Sequence, residues 1–113
     1  MAQTGNIKRK RMVHSVSKLN RMGMMAANDG KFEEAEMKLI LALACARSEN
    51  RKCMYASVLN SIGILYAMKG LWDNALLCYN HALSIADGVV SRKHYLYKTI
   101  QKNICTLLTF GGK

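Results

Sequence analysis

Apolar and polar positions along this chain recur after forty residues without a gap. When residues 17–46 are laid over 57–86, apolar meets apolar at Met22/Ile62, Met24/Ile64, Met25/Leu65, Phe32/Trp72 and Leu39/Tyr79. The same residue recurs at Ser17/Ser57, Leu19/Leu59, Asn20/Asn60, Gly23/Gly63, Ala27/Ala67, Gly30/Gly70, Ala35/Ala75, Ala42/Ala82, Leu43/Leu83 and Ala46/Ala86. These ten identities fall in thirty aligned positions, where ordinary composition gives roughly two or three by chance. A unit of this length repeated in register predicts a stacked array of helix pairs, and such arrays present extended surfaces to other chains.

The pattern predicts five helices, at about 14–29, 31–48, 51–69, 71–87 and 91–109. Gly30 and Gly70 stand where one helix stops and the chain reverses, a place that favours a left-handed residue. Asn50 and Ser91 are candidate N-caps, and Asp87-Gly88 a candidate C-cap. Gly23, Gly63, Ala35, Ala75, Ala42 and Ala82 are small where two helices must approach closely. The fifth helix carries Tyr97, Ile100, Ile104 and Leu108 on one stripe. Shifted by thirty-eight residues, that stripe lies over Leu59, Ile62, Tyr66 and Gly70, with Gln101 in place of the small glycine. It is therefore expected to act as a cap on two full repeats.

The second copy reads Leu59, Ile62-Gly63, Tyr66, Gly70, Ala75, Tyr79, Ala82, and the first Leu19, Met22-Gly23, Ala26, Gly30, Ala35, Leu39, Ala42. This spacing resembles the tetratricopeptide repeat over about two thirds of the chain. Ala26 and Leu39 replace the usual aromatics, the period is forty instead of thirty-four, and no proline ends the second helices. The longer period is similar to the long-helix subclass found in kinesin light chains. The resemblance implies an all-α fold, an α-solenoid of helix-turn-helix repeats at about 15–49 and 55–89 with a capping helix at 91–109.

Composition narrows the class further. The 113 residues suit one domain over about 13–110, and half of them are apolar. No apolar run approaches the ~18 residues of a membrane span, and no apolar stretch of secretory type follows the N-terminal basic cluster. Cys45, Cys53, Cys78 and Cys105 form no CxxC pair; free thiols within the helical core, in a reducing cytoplasm, are favoured over disulfides or metal. Most of the eight methionines fit helix faces and are expected in the core. The formal net charge is +10. Residues 1–22 hold six bases and no acid, so residues 1–12, with Lys8, Arg9, Lys10 and Arg11, read as a disordered basic arm. Such an arm attracts nucleic acid, anionic membrane or an acidic partner, or simply aids solubility. No aromatic interleaves it to stack on bases.

Catalytic chemistry is not in evidence. There is no phosphate-binding glycine loop, His14, His81 and His94 lack partners at ligand spacing, and Glu33, Glu34 and Glu36 fit a solvated helix N-terminus. The expectation is a protein with no catalytic, metal or cofactor site. In the tetratricopeptide family the first helix of each repeat lines the concave face. That register implies a groove with Ser17, Asn20 and Met24 beside Ser57, Asn60 and Ile64, joined by Tyr95, Lys98 and Lys102 from the capping helix. Asn amides can hold a peptide backbone, and the two lysines can receive a carboxylate; a merely solvated inner face is the competing reading. The expected function is an adaptor binding a protein or peptide, with an acidic segment as one form of it. A nucleic-acid-associated factor working through the arm is the alternative. Leu107 and Phe110 on the open C-terminal helix are candidates for a tail-to-tail homodimer, against a monomer whose fifth helix closes the stack.

Overall fold

The computed structural model describes residues 16–111 and contains helices throughout. Helical residues 16–28 (α1) are followed by α2 (Phe32–Ser48), α3 (Lys52–Met68), α4 (Trp72–Val89) and α5 (Tyr95–Thr106). A π-helical turn, Leu107–Gly111, continues α5. The helix pairs α1–α2 and α3–α4 are the two repeats, and α5 packs mainly on α4. The basic cluster Lys8–Arg11, and His14, lie outside the described residues.

Each of the first three helices passes to the next through the same reversal. Gly30, Asn50 and Gly70 adopt φ of 79°, 54° and 77°. The N–H of the next residue bonds back five positions in each case: Lys31 to Ala26 at 2.8 Å, Arg51 to Ala46 at 2.9 Å and Leu71 to Tyr66 at 2.9 Å. The left-handed residue itself bonds back three, to Ala27, Arg47 and Ala67, each at 3.0 Å. This is the Schellman termination, which satisfies carbonyls that a helix end leaves free. Asn50 is thus not the N-cap of α3, as its position in the sequence suggested. It takes the glycine's place, and asparagine is among the few L-residues that tolerate this conformation.

The fourth junction breaks the pattern. Twenty residues beyond Gly70 stands Val90, whose branched side chain excludes the left-handed region; it is extended instead, at φ −130° and ψ 160°. Asp87-Gly88 therefore does not terminate α4, which runs on to Val89. Asp87 accepts from Arg92 at 3.2 Å. Ser91 does not cap α5 either: its Oγ accepts from Lys93 N at 3.0 Å, and His94 caps the helix by accepting from Leu96 N at 3.1 Å.

The second helices pack through a ridge of small residues. Ala35, Ala42 and Ala46 in α2, and Ala75, Ala82 and Ala86 in α4, are fully buried. The one large residue in each ridge, Leu39 or Tyr79, projects at a glycine of the facing helix. A Cβ built on Gly23 would lie 2.7 Å from Leu39 Cγ, and one on Gly63 2.5 Å from Tyr79 Cε1. One apolar cluster joins α1, α2 and α3; a second joins α3, α4 and α5. Helix α3 belongs to both and is buried on two sides, which is why its run from Val58 to Gly63 is inaccessible.

Several surface expectations are corrected. Met22, Met25, Met37 and Met68 are exposed, and Met24 and Met54 only half-buried, so the described methionines are not chiefly core. Met22 and Met25 occupy the places of Ile62 and Leu65, which dock α3 onto the preceding repeat; α1 has no such repeat before it among the described residues. The four cysteines are free, but Cys53 and Cys105 are exposed and Cys45 and Cys78 half-buried. Glu36 is not wholly solvated, since Tyr66 Oη donates to it at 3.4 Å. On α5 the buried stripe is Leu96, Ile100 and Leu107, with Tyr97 at its edge, while Leu108 is exposed. The stripe is rotated from the expected one because α5 leans on α4 rather than lying squarely over α3.

Two stability predictions follow from this packing. Gly63→Ala forces its new methyl into the Tyr79 ring and should cost about 1–3 kcal/mol. Gly88, a helical glycine with nothing within 4 Å of a built Cβ, provides the contrast: Gly88→Ala should be neutral or stabilise by up to about 1 kcal/mol. Urea denaturation of the two variants measures both, and equal effects would refute the glycine–Tyr79 contact.

The second concerns alkaline pH. Burial, aided by Cys78, pushes the Tyr79 hydroxyl from 10.0 up to about 12. From about pH 10 the unfolded chain releases this proton while the native chain retains it, so stability falls as pH rises toward 12 and is fully present below 10. Tyr66, raised by burial and by Glu36, acts in the same direction. The denaturation midpoint should fall across that window, and Tyr79→Phe should flatten the fall.

Candidate binding groove

Val16, Ser17 and Asn20 from α1, Cys53, Met54, Ser57 and Val58 from α3, and Tyr95 and Leu96 from α5 line a groove. Its volume is about 180 Å³. The first helices of successive units come together here because α2 and α4, with their alanine ridges, occupy the other layer. The groove is mixed in chemistry: the hydroxyls of Ser17 and Ser57 and the amide of Asn20 alternate with Val16, Met54 and Val58.

Tyr95 stands at the rim, 76% exposed. Its ring stacks on His94, with centroids 4.7 Å apart and planes 29° from parallel. The His94 ring is itself held by its capping bond through Nδ1, which leaves the ring proton on Nε2. The cap of α5 therefore also orients the rim tyrosine. Lys98 and Lys102 follow Tyr95 at three and seven residues, on the same exposed face of α5. They do not line the groove but extend from its rim.

The two asparagines that recur in the sequence have separate fates. Asn60 is buried, and its Oδ1 accepts from Asn103 Nδ2 at 2.9 Å, tying α3 to α5. It is a structural fastener, not a groove residue as the sequence register implied. Asn20 Oδ1 is also buried but has no hydrogen-bond partner among the described residues. From α3 the groove beside it receives Met54, Val58 and the Ser57 hydroxyl, none of which bonds to it. Met24 and Ile64 are half-buried against the two cores and serve as groove flanks at most. Asn103 lies outside the forty-residue repeat. Its signal was a polar residue on the buried side of an amphipathic helix.

Leu107 likewise moves. It is 6% exposed, packed within the second core cluster, and is not free to meet another chain. Phe110 is 75% exposed, beside Trp72 and Leu107 at the edge of a shallow pocket. Among the described residues no group of three or more His, Cys, Asp or Glu is placed to hold a metal ion, and no helix is long and apolar enough to cross a membrane.

The family model for the tetratricopeptide repeat matches residues 15–88, which span both helix pairs but for the last residue of α4. The chain belongs to the tetratricopeptide-repeat family. No curated protein and no solved structure matches it significantly. Tetratricopeptide repeats are in general non-catalytic modules of protein–protein interaction. Their first-helix surface is the one that carries the groove here, and α5 supplies its third wall.

The Asn60–Asn103 bond makes a testable distinction within this tetratricopeptide fold. Asn103→Ala leaves a buried carbonyl oxygen without its donor and should cost about 1–3 kcal/mol. Replacing both, Asn60→Leu with Asn103→Ala, removes the orphan and should recover part of that loss. A double-mutant cycle in urea checks the coupling; purely additive losses would show the bond to be incidental.

Proposed function

We propose that this chain is an adaptor that holds an extended segment of a partner protein along the groove of α1, α3 and α5. The observation that carries the reading is Asn20: a carbonyl oxygen with no partner among the described residues, in a groove whose lining also carries the Ser17, Ser57 and Tyr95 hydroxyls. An extended peptide rises about 3.3 Å per residue and turns a backbone N–H toward one wall at every second residue. A peptide N–H entering the groove would supply the donor that the Asn20 oxygen lacks among the described residues. Lys98 and Lys102 beyond the rim favour a segment that carries carboxylates there, either an acidic side chain or a free C-terminus. The free thiols fit a reducing cytoplasmic setting.

The basic character of one end of the array favours a second reading, a nucleic-acid-associated factor. The α2–α3 and α4–α5 turns share that end and carry Arg47, Arg51, Lys52, Arg92 and Lys93 against Glu49 and Asp87. Arg47, Arg51 and Lys52 surround a pocket floored by Tyr55. Tyr55 is half-buried and the one aromatic side chain lining that pocket, so no run of stacking rings accompanies the bases, and the protein reading ranks first.

Fluorescence-polarisation binding of a library of peptides with acidic, free C-termini tests the adaptor reading. Asn20→Ala and Lys98→Glu should each weaken the selected peptides by roughly tenfold, the equivalent of about 1–2 kcal/mol. Glu33→Gln and Glu34→Gln on α2 should leave binding unchanged. Equal loss at both places would move the site off the groove. Amidating the peptide C-terminus without effect would remove the carboxylate part of the reading alone. Retention on random-sequence RNA that weakens steeply with salt would favour the nucleic-acid reading instead.

A further inference from the structure

Helix α2 is apolar on two opposite faces. Ala35, Leu39, Ala42 and Ala46 face the core and are fully buried. On the other side Met37, Ile40 and Leu41 are 73%, 53% and 53% exposed, and Ala44 is exposed one turn further on. These positions follow the i, i+3, i+4, i+7 spacing of a helix-packing stripe. The second repeat shows that the fold does not require it. There the same outward positions are Leu77, Asn80, His81 and Ser84, three of the four polar. The two copies keep identical residues at the core-facing alanines and part company on the outer face.

We propose that this outer face of α2 is a self-complementary surface through which two copies of the chain pair, helix against helix and antiparallel. The residues are arranged for a two-fold axis passing between Ile40 and Leu41. About that axis Ile40 meets Leu41 of the second copy, and the long Met37 meets the small Ala44, each contact made twice. Glu34 in the first turn of α2 meets Arg47 in the last turn, again twice. The single ion pair among the described residues joins Arg92 to Asp87, so Glu34 and Arg47 have no ionic partner among them. A parallel pairing would set Glu34 against Glu34 and Arg47 against Arg47, and would align the helix dipoles unfavourably. The surface is a ridge, not a cleft, which suits a second helix rather than an extended peptide. The exposed acids Glu33 and Glu34 at its start oppose an anionic lipid surface. The C-terminal helix is the poorer candidate for pairing, because Leu107 is already used inside the chain.

This surface belongs to α2 and the groove to α1, α3 and α5, so either proposal can fail without the other. Sedimentation equilibrium of the full chain at tens of micromolar should show a dimer. The double variant Ile40→Asn with Leu41→His installs the residues that α4 already carries at these places. It should be monomeric with an unchanged helical circular dichroism spectrum. Glu34→Lys should weaken the dimer by roughly three- to tenfold, and Glu34→Lys combined with Arg47→Glu should restore it. Phe110→Glu should leave it intact. A wild-type chain that stays monomeric overturns the proposal. So does a dimer that survives Ile40→Asn with Leu41→His, or one that is lost with Phe110→Glu. If the double variant fails to fold, the charge reversal still decides: a paired reversal no better than Glu34→Lys alone overturns it.

Discussion

Every element of this structure depends on how closely the two helices of a repeat can approach. Gly23 and Gly63 each leave room for a large residue of the facing helix, Leu39 in one repeat and Tyr79 in the other. The flanking alanines keep the rest of the contact thin, so the large side chain enters a gap between two backbones. With ridges this low, each helix pair forms a flat unit, and a flat unit stacks on the next. Helix α3 is then enclosed by both neighbours, and the first-type helices are brought edge to edge along one surface, where the groove forms. A longer side chain at either glycine would separate the pair and displace everything stacked on it.

The turns impose a second regularity, at half the period of the repeat. Three successive helices end in the same hydrogen-bonded reversal because residues 30, 50 and 70 can all be left-handed. Equal lengths of α2 and α3, 17 residues each, and equal reversals keep the array in step. At residue 90 a valine cannot take that conformation, and the chain leaves α4 extended. That change gives α5 its own cap in His94, its lean onto α4, and its tyrosine at the groove rim. The departure from repeat symmetry at this junction is therefore what makes the third wall of the groove.

The two copies have diverged wherever the fold does not constrain them. Core alanines, packing glycines and the reversal residues Gly30 and Gly70 coincide between repeats, whereas the residues around them differ in polarity. Asn20 and Asn60 are the same residue at the same register, yet α5 brings a donor to Asn60 Oδ1, whereas Asn20 Oδ1 has no hydrogen-bond partner among the described residues. The outward faces of α2 and α4 differ in the same way. In both cases the difference between equivalent positions, rather than either position alone, points to where this chain does something its repeat does not require.

The sequence by itself determined the all-helical repeat architecture, because the spacing of glycine, alanine and large apolar residues is a local and periodic property. The forty-residue register placed Gly23, Gly63 and both alanine ridges correctly, and it brought Ser17, Asn20, Ser57 and Tyr95 toward one surface. What it left open depended on contacts between elements with no repeat relation. Whether Leu107 or Leu108 turns inward follows from the lean of α5 on α4, and one residue of helix shifts a side chain by about 100°. Whether Asn60 lines a groove or fastens two helices depends on Asn103, forty-three residues away and outside the repeat. Whether a methionine is core or surface depends on a neighbour being there to cover it, as Ile62 and Leu65 are covered and Met22 and Met25 are not. Periodicity specifies what a helix can bury; only the packed neighbours decide what it does bury.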